Sequence, residues 1–131
     1  MNDNKGTILI AEDNPSNMKL LKDILGFQGY KIIEAYDGKA ALDLTRQNKD
    51  IIDLILMDLQ LPEMDGIEVI KLIKSDDSTK KLPVFVISAH AMEIDRKRAL
   101  KAGCNNYITK PINIESFIEK INAFFRHREI D

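Results

Sequence analysis

Short apolar runs alternate along the chain with longer segments whose apolar residues recur at helical spacing. Three runs are continuous enough to be strands buried on both faces, at 7–11, 54–57 and 84–87. Two weaker strand candidates lie at 31–36 and 106–108. Because short strands alternate with helical segments, the pattern predicts an open parallel sheet covered by helices on both faces.

Capping residues predict where the helices begin and end. Asn14 followed by Pro15 predicts the start of the first helix, which should stop near Gly29. The second helix is predicted from Asp37-Gly38 through Leu44, and a capping box of Asp65 and Glu68 opens the third. The fourth is predicted from about Ala91 to Ala102, before Gly103, and the fifth starts near Asn113. Asp-Gly can also mark a hairpin turn. Helical patterns follow both copies, which favours helix starts.

This element order restricts the fold. Right-handed crossovers between parallel strands leave few topologies, and the obvious candidate is a doubly wound α/β fold with a five-stranded parallel sheet in the order 2-1-3-4-5. The sequence has no evident linker, repeat or low-complexity segment. We therefore expect a single domain over residues 1–131, with its core at about 7–128 and no output domain.

Composition narrows the setting and the partners. Of the 131 residues, 44% are hydrophobic and 31% are charged, which is ordinary for a globular protein. The net charge of −2 does not favour a nucleic-acid surface. No apolar run approaches the length of a membrane span, and the N-terminus lacks the apolar stretch of a secretory signal. The single cysteine, Cys104, excludes an internal disulfide. These features predict a cytoplasmic protein.

Polar residues follow the predicted strands at their carboxyl ends, where open α/β sheets bind ligands. The first strand is followed by Glu12 and Asp13, and the third ends in Asp58. The fourth ends in Ser88, and Lys110 follows the fifth. Three carboxylates, a hydroxyl and an ammonium are therefore expected to converge on one edge of the sheet.

Such a group of side chains suits phosphoryl transfer. Crowded carboxylates repel one another unless a cation balances them, and Mg²⁺ prefers oxygen ligands. An aspartate can act as a nucleophile and form an aspartyl phosphate, while a metal and a lysine neutralise the phosphoryl oxygens. Alone, Asp58 could be a helix cap, Glu12 and Asp13 favourable charges at a helix start, Ser88 a cap and Lys110 a surface residue. Their joint placement favours the phosphoryl site.

The motifs that carry these residues are IAEDN at 10–14, LMDLQLPEMDG at 56–66, ISA at 87–89 and YITKP at 107–111. With them the chain resembles the response-regulator receiver domain, a CheY-like family with a flavodoxin-like fold, from residue 7 to about residue 128. The segments EDN at 12–14, NMKL at 17–20 and QGY at 28–30 are similar to DivK-type single-domain regulators. Receivers inside hybrid histidine kinases share much of this pattern.

The resemblance implies a role for each matching residue. Asp58 would be the phosphoacceptor. Mg²⁺, or Mn²⁺ as a substitute, would be bound by Asp13 directly, by Glu12 mainly through water, by Asp58, and by the backbone carbonyl of Gln60. Lys110 would pair with the phosphoryl group, and a cis bond before Pro111 would aim its side chain.

Four positions would control switching and the phosphoryl lifetime. Ser88 matches the switch hydroxyl, and Tyr107 matches the aromatic residue that swings inward, although plain packing also explains Tyr107. Gln60 and His90 occupy positions that tune how long the phosphoryl group lasts. An exposed loop position explains His90 equally well.

The family implies a regulatory phosphoacceptor, not an enzyme, that promotes its own phosphorylation and dephosphorylation. A histidine kinase or histidine phosphotransfer protein would donate the phosphoryl group, with Leu20 on the first helix as a candidate contact. The signal would leave by onward phosphorelay or by binding a downstream protein on the face made by helix four, strand five and helix five. The alternatives are an interaction module that is never phosphorylated and a receiver fragment of a hybrid histidine kinase.

Other phosphate-handling proteins fit less well. A haloacid-dehalogenase-type phosphatase needs an aspartate at position 60, where this chain has Gln60. A flavodoxin cradles phosphate in a hydroxyl-rich first loop, whereas here Glu12 and Asp13 would repel it. The glycine-rich motif of a P-loop enzyme is absent.

Overall fold

The computed structural model describes residues 5–89 and 92–130. The strands are Thr7–Ala11 (β1), Lys31–Ala35 (β2), Leu54–Asp58 (β3), Val84–Ser88 (β4) and Asn106–Thr109 (β5). The helices are Pro15–Phe27 (α1), Gly38–Gln47 (α2), Gly66–Ser75 (α3), Glu93–Ala102 (α4) and Ile114–Ile130 (α5). His90, and Ala91 at the predicted start of α4, lie outside the described residues.

All strand pairs are parallel, and the sheet order is β2-β1-β3-β4-β5, as the sequence predicted. The register aligns the carboxyl ends of the strands. Ala11 pairs with Met57 across β1 and β3, and Ser88 pairs with Thr109 across β4 and β5. The residues that follow these strands therefore emerge at the same edge of the sheet.

Side-chain caps explain where α1, α2 and α3 begin. Asn14 Oδ1 accepts a hydrogen bond from the Asn17 N–H at 3.0 Å, and Asp37 Oδ1 accepts one from the Ala40 N–H at 2.7 Å. Asp65 Oδ1 accepts from the N–H groups of residues 67 and 68. Each carboxylate or amide oxygen satisfies a donor that the first helical turn leaves free.

One predicted boundary was wrong. The sequence pattern ended α2 at Leu44, whereas the helix continues to Gln47. Thr45 is fully buried, and its hydroxyl donates to the Ala41 carbonyl at 2.7 Å. The last turn is thus held by a buried polar residue that an apolar pattern does not detect.

The sheet has a hydrophobic core on each face. One core joins alternate strand residues to α2, α3 and α4, and the other joins the intervening strand residues to α1 and α5. The alternation is clear in β3, where Ile55 and Met57 face the first core and Leu54 and Leu56 face the second. Burial on both faces explains why the central strands read as continuous apolar runs.

The longest helix, α5, has 17 residues. It buries Phe117, Ile121 and Phe125 against the second core. Near its end, Arg128 Nη2 lies 2.6 Å from Asp53 Oδ1, just before β3. None of the helices in the described part of the chain combines the length and apolar character needed to cross a membrane.

Candidate functional site

Three carboxylates meet where β1 and β3 end. Each of Glu12, Asp13 and Asp58 places a carboxylate oxygen within 4.8 Å of the others. Glu12 and Asp58 are buried, at 2% and 8% exposure, while Asp13 is open to solvent. The cluster therefore has two buried members held by neighbouring strands and one member on the solvent side.

Lys110 lies against this cluster. Its Nζ is 2.8 Å from Asp58 Oδ2 and 2.7 Å from Glu12 Oε1. The backbone holds the lysine there, because its N–H donates to the Ser88 carbonyl at 2.8 Å. The bond to Pro111 is cis. Sequence reasoning placed Lys110 at this edge but did not anticipate its contact with Glu12.

Burial and charge shift two pKa values in the site. Burial raises the pKa of Glu12 above its ordinary 4.5, against hydrogen bonds from Lys110 and the Asn14 N–H that favour the charged form. Burial also lowers the pKa of Lys110, but hydrogen bonds to Asp58 and Glu12 outweigh it, so that the net shift is upward from 10.5. The lysine is thus held as an ammonium at neutral pH, and one ammonium faces three carboxylates.

The donor set fits a hard divalent cation such as Mg²⁺. Such an ion takes carboxylate and carbonyl oxygens and keeps several waters, which the open side at Asp13 permits. Asp58 Oδ1 accepts a hydrogen bond from the Gln60 N–H at 2.9 Å, so the backbone at residue 60 lies beside the carboxylate. Glu12, Asp13, Asp58 and the backbone of Gln60 are therefore available for one ion.

The predicted switch residues lie on the next strands. Ser88 is fully buried at the end of β4. Tyr107, in β5, is 6% exposed and belongs to the core on the side of α3 and α4. Burial of the Tyr107 ring fits both a switch position and plain packing. His90 lies outside the described residues.

Two glycines shape the loop between β3 and α3, and sequence reasoning read them only as helix starts. A Cβ at Gly66 would lie 2.5 Å from the Asp58 carbonyl oxygen. A Cβ at Gly38 would collide with the Met64 carbonyl, and the Gly38 N–H donates to the Pro62 carbonyl at 3.0 Å. Asp-Gly at both helix starts was the available signal, but it indicates a cap and does not reveal close packing.

An apolar groove of about 430 Å³ opens beside the carboxylates, between α1 and the segment that joins β5 to α5. We call it the α1–α5 groove. Its exposed rim includes Leu20 and Ile114, at 46% and 48% exposure, and Glu12 and Lys110 also line it. The inner face of α1 buries Met18, Leu21 and Leu25. The groove thus borders both the apolar surface of α1 and the charged site.

Known proteins agree with this architecture. The response regulator receiver domain family matches residues 8–122. The polar-differentiation response regulator DivK of Brucella anthropi is 45% identical over 118 residues, which are 90% of this chain and 94% of that protein. DivK of Brucella melitensis is 44% identical over the same shares of the two chains.

Solved structures give the same fold. The receiver domain of the Francisella response regulator 1452 superposes with a TM-score of 0.85 at 28% identity, covering 94% of this chain and 98% of that one. A CheY from Borrelia burgdorferi, solved in a complex with CheX, BeF3 and Mg²⁺, gives a TM-score of 0.85 at 30% identity, with 92% and 89% covered. The chain is therefore a member of the response regulator receiver domain family of two-component signalling.

Proposed function

We propose that this chain accepts a phosphoryl group on Asp58 from a phosphohistidine donor, in a Mg²⁺-dependent reaction. One observation carries the proposal: the carboxylates of Glu12, Asp13 and Asp58 meet the Lys110 ammonium at one edge of the sheet. The family match supports a signalling role for this site. The chain would then be a regulatory phosphoacceptor that also promotes its own phosphorylation and dephosphorylation.

The residues proposed to hold Mg²⁺, or Mn²⁺ in its place, are Asp13, Asp58, the Gln60 carbonyl and, mainly through water, Glu12. When bound, the ion supplies positive charge that balances the carboxylates and the phosphoryl oxygens. The CheY of Borrelia burgdorferi, solved with BeF3 and Mg²⁺, supports this choice of metal.

The chain's own groups then carry the transfer. A carboxylate oxygen of Asp58 attacks the phosphorus atom, the bond from phosphorus to the donor imidazole nitrogen breaks, and the imidazole leaves with the bonding electron pair. Lys110 is already within hydrogen-bond distance of Asp58 and pairs with a phosphoryl oxygen as charge builds there. The Ser88 hydroxyl donates to another phosphoryl oxygen.

The phosphoryl group would shift the population of conformations rather than push a rigid lever. It adds a charge of about −1.5 to −2 at neutral pH. Ser88 is drawn towards this charge, and Tyr107 repacks in the space that the hydroxyl leaves. The face formed by α4, β5 and α5 then changes its affinity for a downstream protein, while Gln60 and His90 set the lifetime of the phosphoryl group.

The α1–α5 groove would bind the phosphodonor. A histidine phosphotransfer domain presents its histidine on a helix, and an apolar groove beside a charged site can bind such a helix. Leu20 and Ile114 stand exposed on the rim, close to Lys110. We propose that a histidine kinase or phosphotransfer protein contacts these two residues, and that the phosphoryl group can return by the same route in a phosphorelay.

The chain would act as a single receiver domain in the cytoplasm, with protein partners and neither nucleic acid nor membrane as a target. The main alternative is an interaction module with this fold that is never phosphorylated. The carboxylates of Glu12, Asp13 and Asp58, set against Lys110, favour the phosphoacceptor.

The test is the intact mass of the protein after incubation with acetyl phosphate and Mg²⁺. Wild type should gain one phosphoryl group that a chelator prevents and that hydroxylamine removes, as expected of an acyl phosphate. Asp58→Asn should gain none. Asp77→Asn removes an exposed carboxylate far from the site and should behave as wild type. If folded wild type forms no Mg²⁺-dependent adduct with several donors, the interaction module becomes the better explanation.

A further inference from the structure

The outer face of α4 is unusually basic for a chain with a net charge of −2. Four of the six residues from 96 to 101 are cations, namely Arg96, Lys97, Arg98 and Lys101, and all four are exposed. Among the ion pairs between described residues, none includes any of them. This positive charge is therefore available to a partner.

Exposed apolar side chains lie among these cations. Met92, Ile94 and Leu100 are 68%, 64% and 48% exposed. At 100° per residue, Ile94 shares a stripe with Lys97 and Lys101, and Leu100 lies beside that stripe. Together these side chains offer a partner protein both apolar contact and positive charge.

The inner face of α4 holds the helix weakly. It buries only Ala99 and Ala102, and Met92 at its N-cap provides no side-chain hydrogen bond. The neighbouring α3 buries Ile67, Val69, Ile70 and Ile73. Because anchoring grows with buried apolar area, α4 is more easily displaced than α3. It also lies in sequence between Ser88 and Tyr107.

We propose that the outer face of α4 binds an acidic segment of a partner protein. The partner's carboxylates pair with Lys97 and Lys101, with Arg96 and Arg98 on the two flanks of the face, and its apolar side chains cover Ile94 and Leu100. The inference rests on the proposed function, in which the face formed by α4, β5 and α5 binds the downstream protein. It adds the chemistry of that partner.

Two other polyanions fit this face less well. A membrane-surface helix separates its apolar side chains from its lysines, whereas on α4 the lysines lie between Ile94 and Leu100. A nucleic acid would bring its phosphates towards the acidic residues Glu93 and Asp95 in the first turn of the same helix. An acidic protein segment with apolar side chains complements both the cations and the apolar positions.

The experiment follows backbone amide shifts by NMR while the unphosphorylated protein is titrated with a synthetic probe. The probe is a helical peptide of glutamates and leucines, and its counterpart has lysine in place of each glutamate. The glutamate peptide should shift amides of α4 and bind more weakly as salt rises, and the lysine peptide should not bind. A duplex DNA and phosphatidylserine vesicles are tested in parallel.

Matched charge reversals locate the binding surface. The double variant Lys97→Glu with Lys101→Glu should weaken binding of the glutamate peptide by at least about tenfold. The control, Lys31→Glu with Lys49→Glu, makes the same change in net charge at exposed positions outside α4 and should stay within about twofold. Circular dichroism checks that both variants are folded.

Each other outcome would overturn the inference. Equal losses of peptide affinity in the two double variants would mean that only net charge matters. Amide shifts outside α4 would mean that the peptide binds elsewhere. Tighter binding of DNA or vesicles on α4 would assign the face to another class of ligand. No phosphodonor is present in the titration, so a failure of Asp58 phosphorylation, read separately by intact mass, leaves this result interpretable.

Discussion

At the scale of single residues, Lys110 serves as the counter-ion of the site when no phosphoryl group is present. Its Nζ bonds both Asp58 and Glu12, and these bonds hold its pKa above the ordinary value of 10.5 against the opposing effect of burial. A lysine in this position has opposite effects on the two ligands of the site. It repels a metal cation, and it attracts the oxygens of a phosphoryl group.

Lys110→Met should therefore bind Mg²⁺ several times more tightly than wild type and form the phosphoryl adduct at least about tenfold more slowly. Calorimetric titration with Mg²⁺ and a time course of intact mass would measure the two effects. Lys71→Met removes an exposed lysine of α3 and should change neither. Weaker Mg²⁺ binding in Lys110→Met would instead show that the lysine is needed to organise the carboxylates.

Cys104 allows a test of burial by pH. The thiol is 6% exposed, and burial raises its pKa above the ordinary 9.0. The unfolded chain ionises this thiol at a lower pH than the folded chain does, so the stability that burial of the thiol contributes is present below pH 9 and is lost as the pH rises through the folded pKa. The advantage of wild type over Cys104→Ala should therefore shrink above pH 9.

Urea unfolding of wild type and Cys104→Ala at pH 7 and pH 10 would measure this change. The difference in unfolding free energy should fall with pH, with a slope no steeper than about 1.4 kcal/mol per pH unit. Titratable groups remote from Cys104 are present in both proteins and cancel. A constant difference between the two pH values would show that the thiol ionises alike in both states.

The convergence of Glu12, Asp13, Asp58 and Lys110 could be predicted because parallel strands end at one edge of the sheet. The hydrogen bond between Lys110 and Glu12 could not be predicted. The position of a residue after a strand fixes the edge it reaches but not the rotamer it adopts, and a four-carbon side chain can reach several carboxylates. The bond from Lys110 to Glu12 therefore appears only when the side chains are placed.

At the scale of elements, most helix boundaries could be predicted because capping residues act locally. Asn14, Asp37 and Asp65 each accept hydrogen bonds from the first turn of the helix that follows. Contacts between elements are not local, and the sequence pattern missed them. The approach of α2 to the loop between β3 and α3 depends on Gly38, which looked like an ordinary helix start.

Gly38→Ala should displace that loop and weaken Mg²⁺ binding, because a Cβ at Gly38 collides with the Met64 carbonyl and the loop carries Gln60. We expect a loss of about 1–3 kcal/mol in unfolding free energy, as in other overpacked sites. Gly26→Ala is the matched control. A Cβ at Gly26 meets no atom within 4 Å, and alanine in a helix should leave stability unchanged or raise it by up to about 1 kcal/mol.

Calorimetric Mg²⁺ titrations and urea unfolding of the two glycine variants separate the effects. A Gly38→Ala protein that is less stable but binds Mg²⁺ with the affinity of wild type would show that α2 does not position the metal loop. Equal behaviour of the two variants would contradict the close packing itself.

The helix α1 carries a second test, because Leu20 and Phe27 are both exposed on it, at 46% and 91%, and only Leu20 lines the α1–α5 groove. Leu20→Glu should slow phosphoryl transfer from a histidine phosphotransfer domain at least about tenfold, as expected for loss of an apolar anchor. Phe27→Glu, two turns away, should have little effect. Neither variant should change phosphorylation by acetyl phosphate, and equal slowing by both variants would argue against docking in the groove.

At the scale of the whole molecule, the strand order could be predicted because continuous apolar strands require cover on both faces, and right-handed crossovers then leave few arrangements. The two resulting cores share β1, β3 and β4. Packing between helices was less accessible from sequence, and the α1–α5 groove depends on residues more than ninety positions apart, such as Leu20 and Ile114.

Shared strands predict that the two cores unfold together. Ile70→Ala removes a fully buried side chain of α3 from the first core, and Phe117→Ala removes one of α5 that is 1% exposed from the second. The unfolding free energy should fall by about 2–5 kcal/mol in Ile70→Ala and by about 3–5 kcal/mol in Phe117→Ala. It should fall by less than about 0.5 kcal/mol in Ile51→Ala, at a position 55% exposed. Urea unfolding followed by circular dichroism and by tyrosine fluorescence should give one coincident transition in every variant. Separate transitions in Phe117→Ala would mean that α1 and α5 leave the sheet while the core under α2, α3 and α4 stays folded. The shared strands would then not couple the unfolding of the two cores.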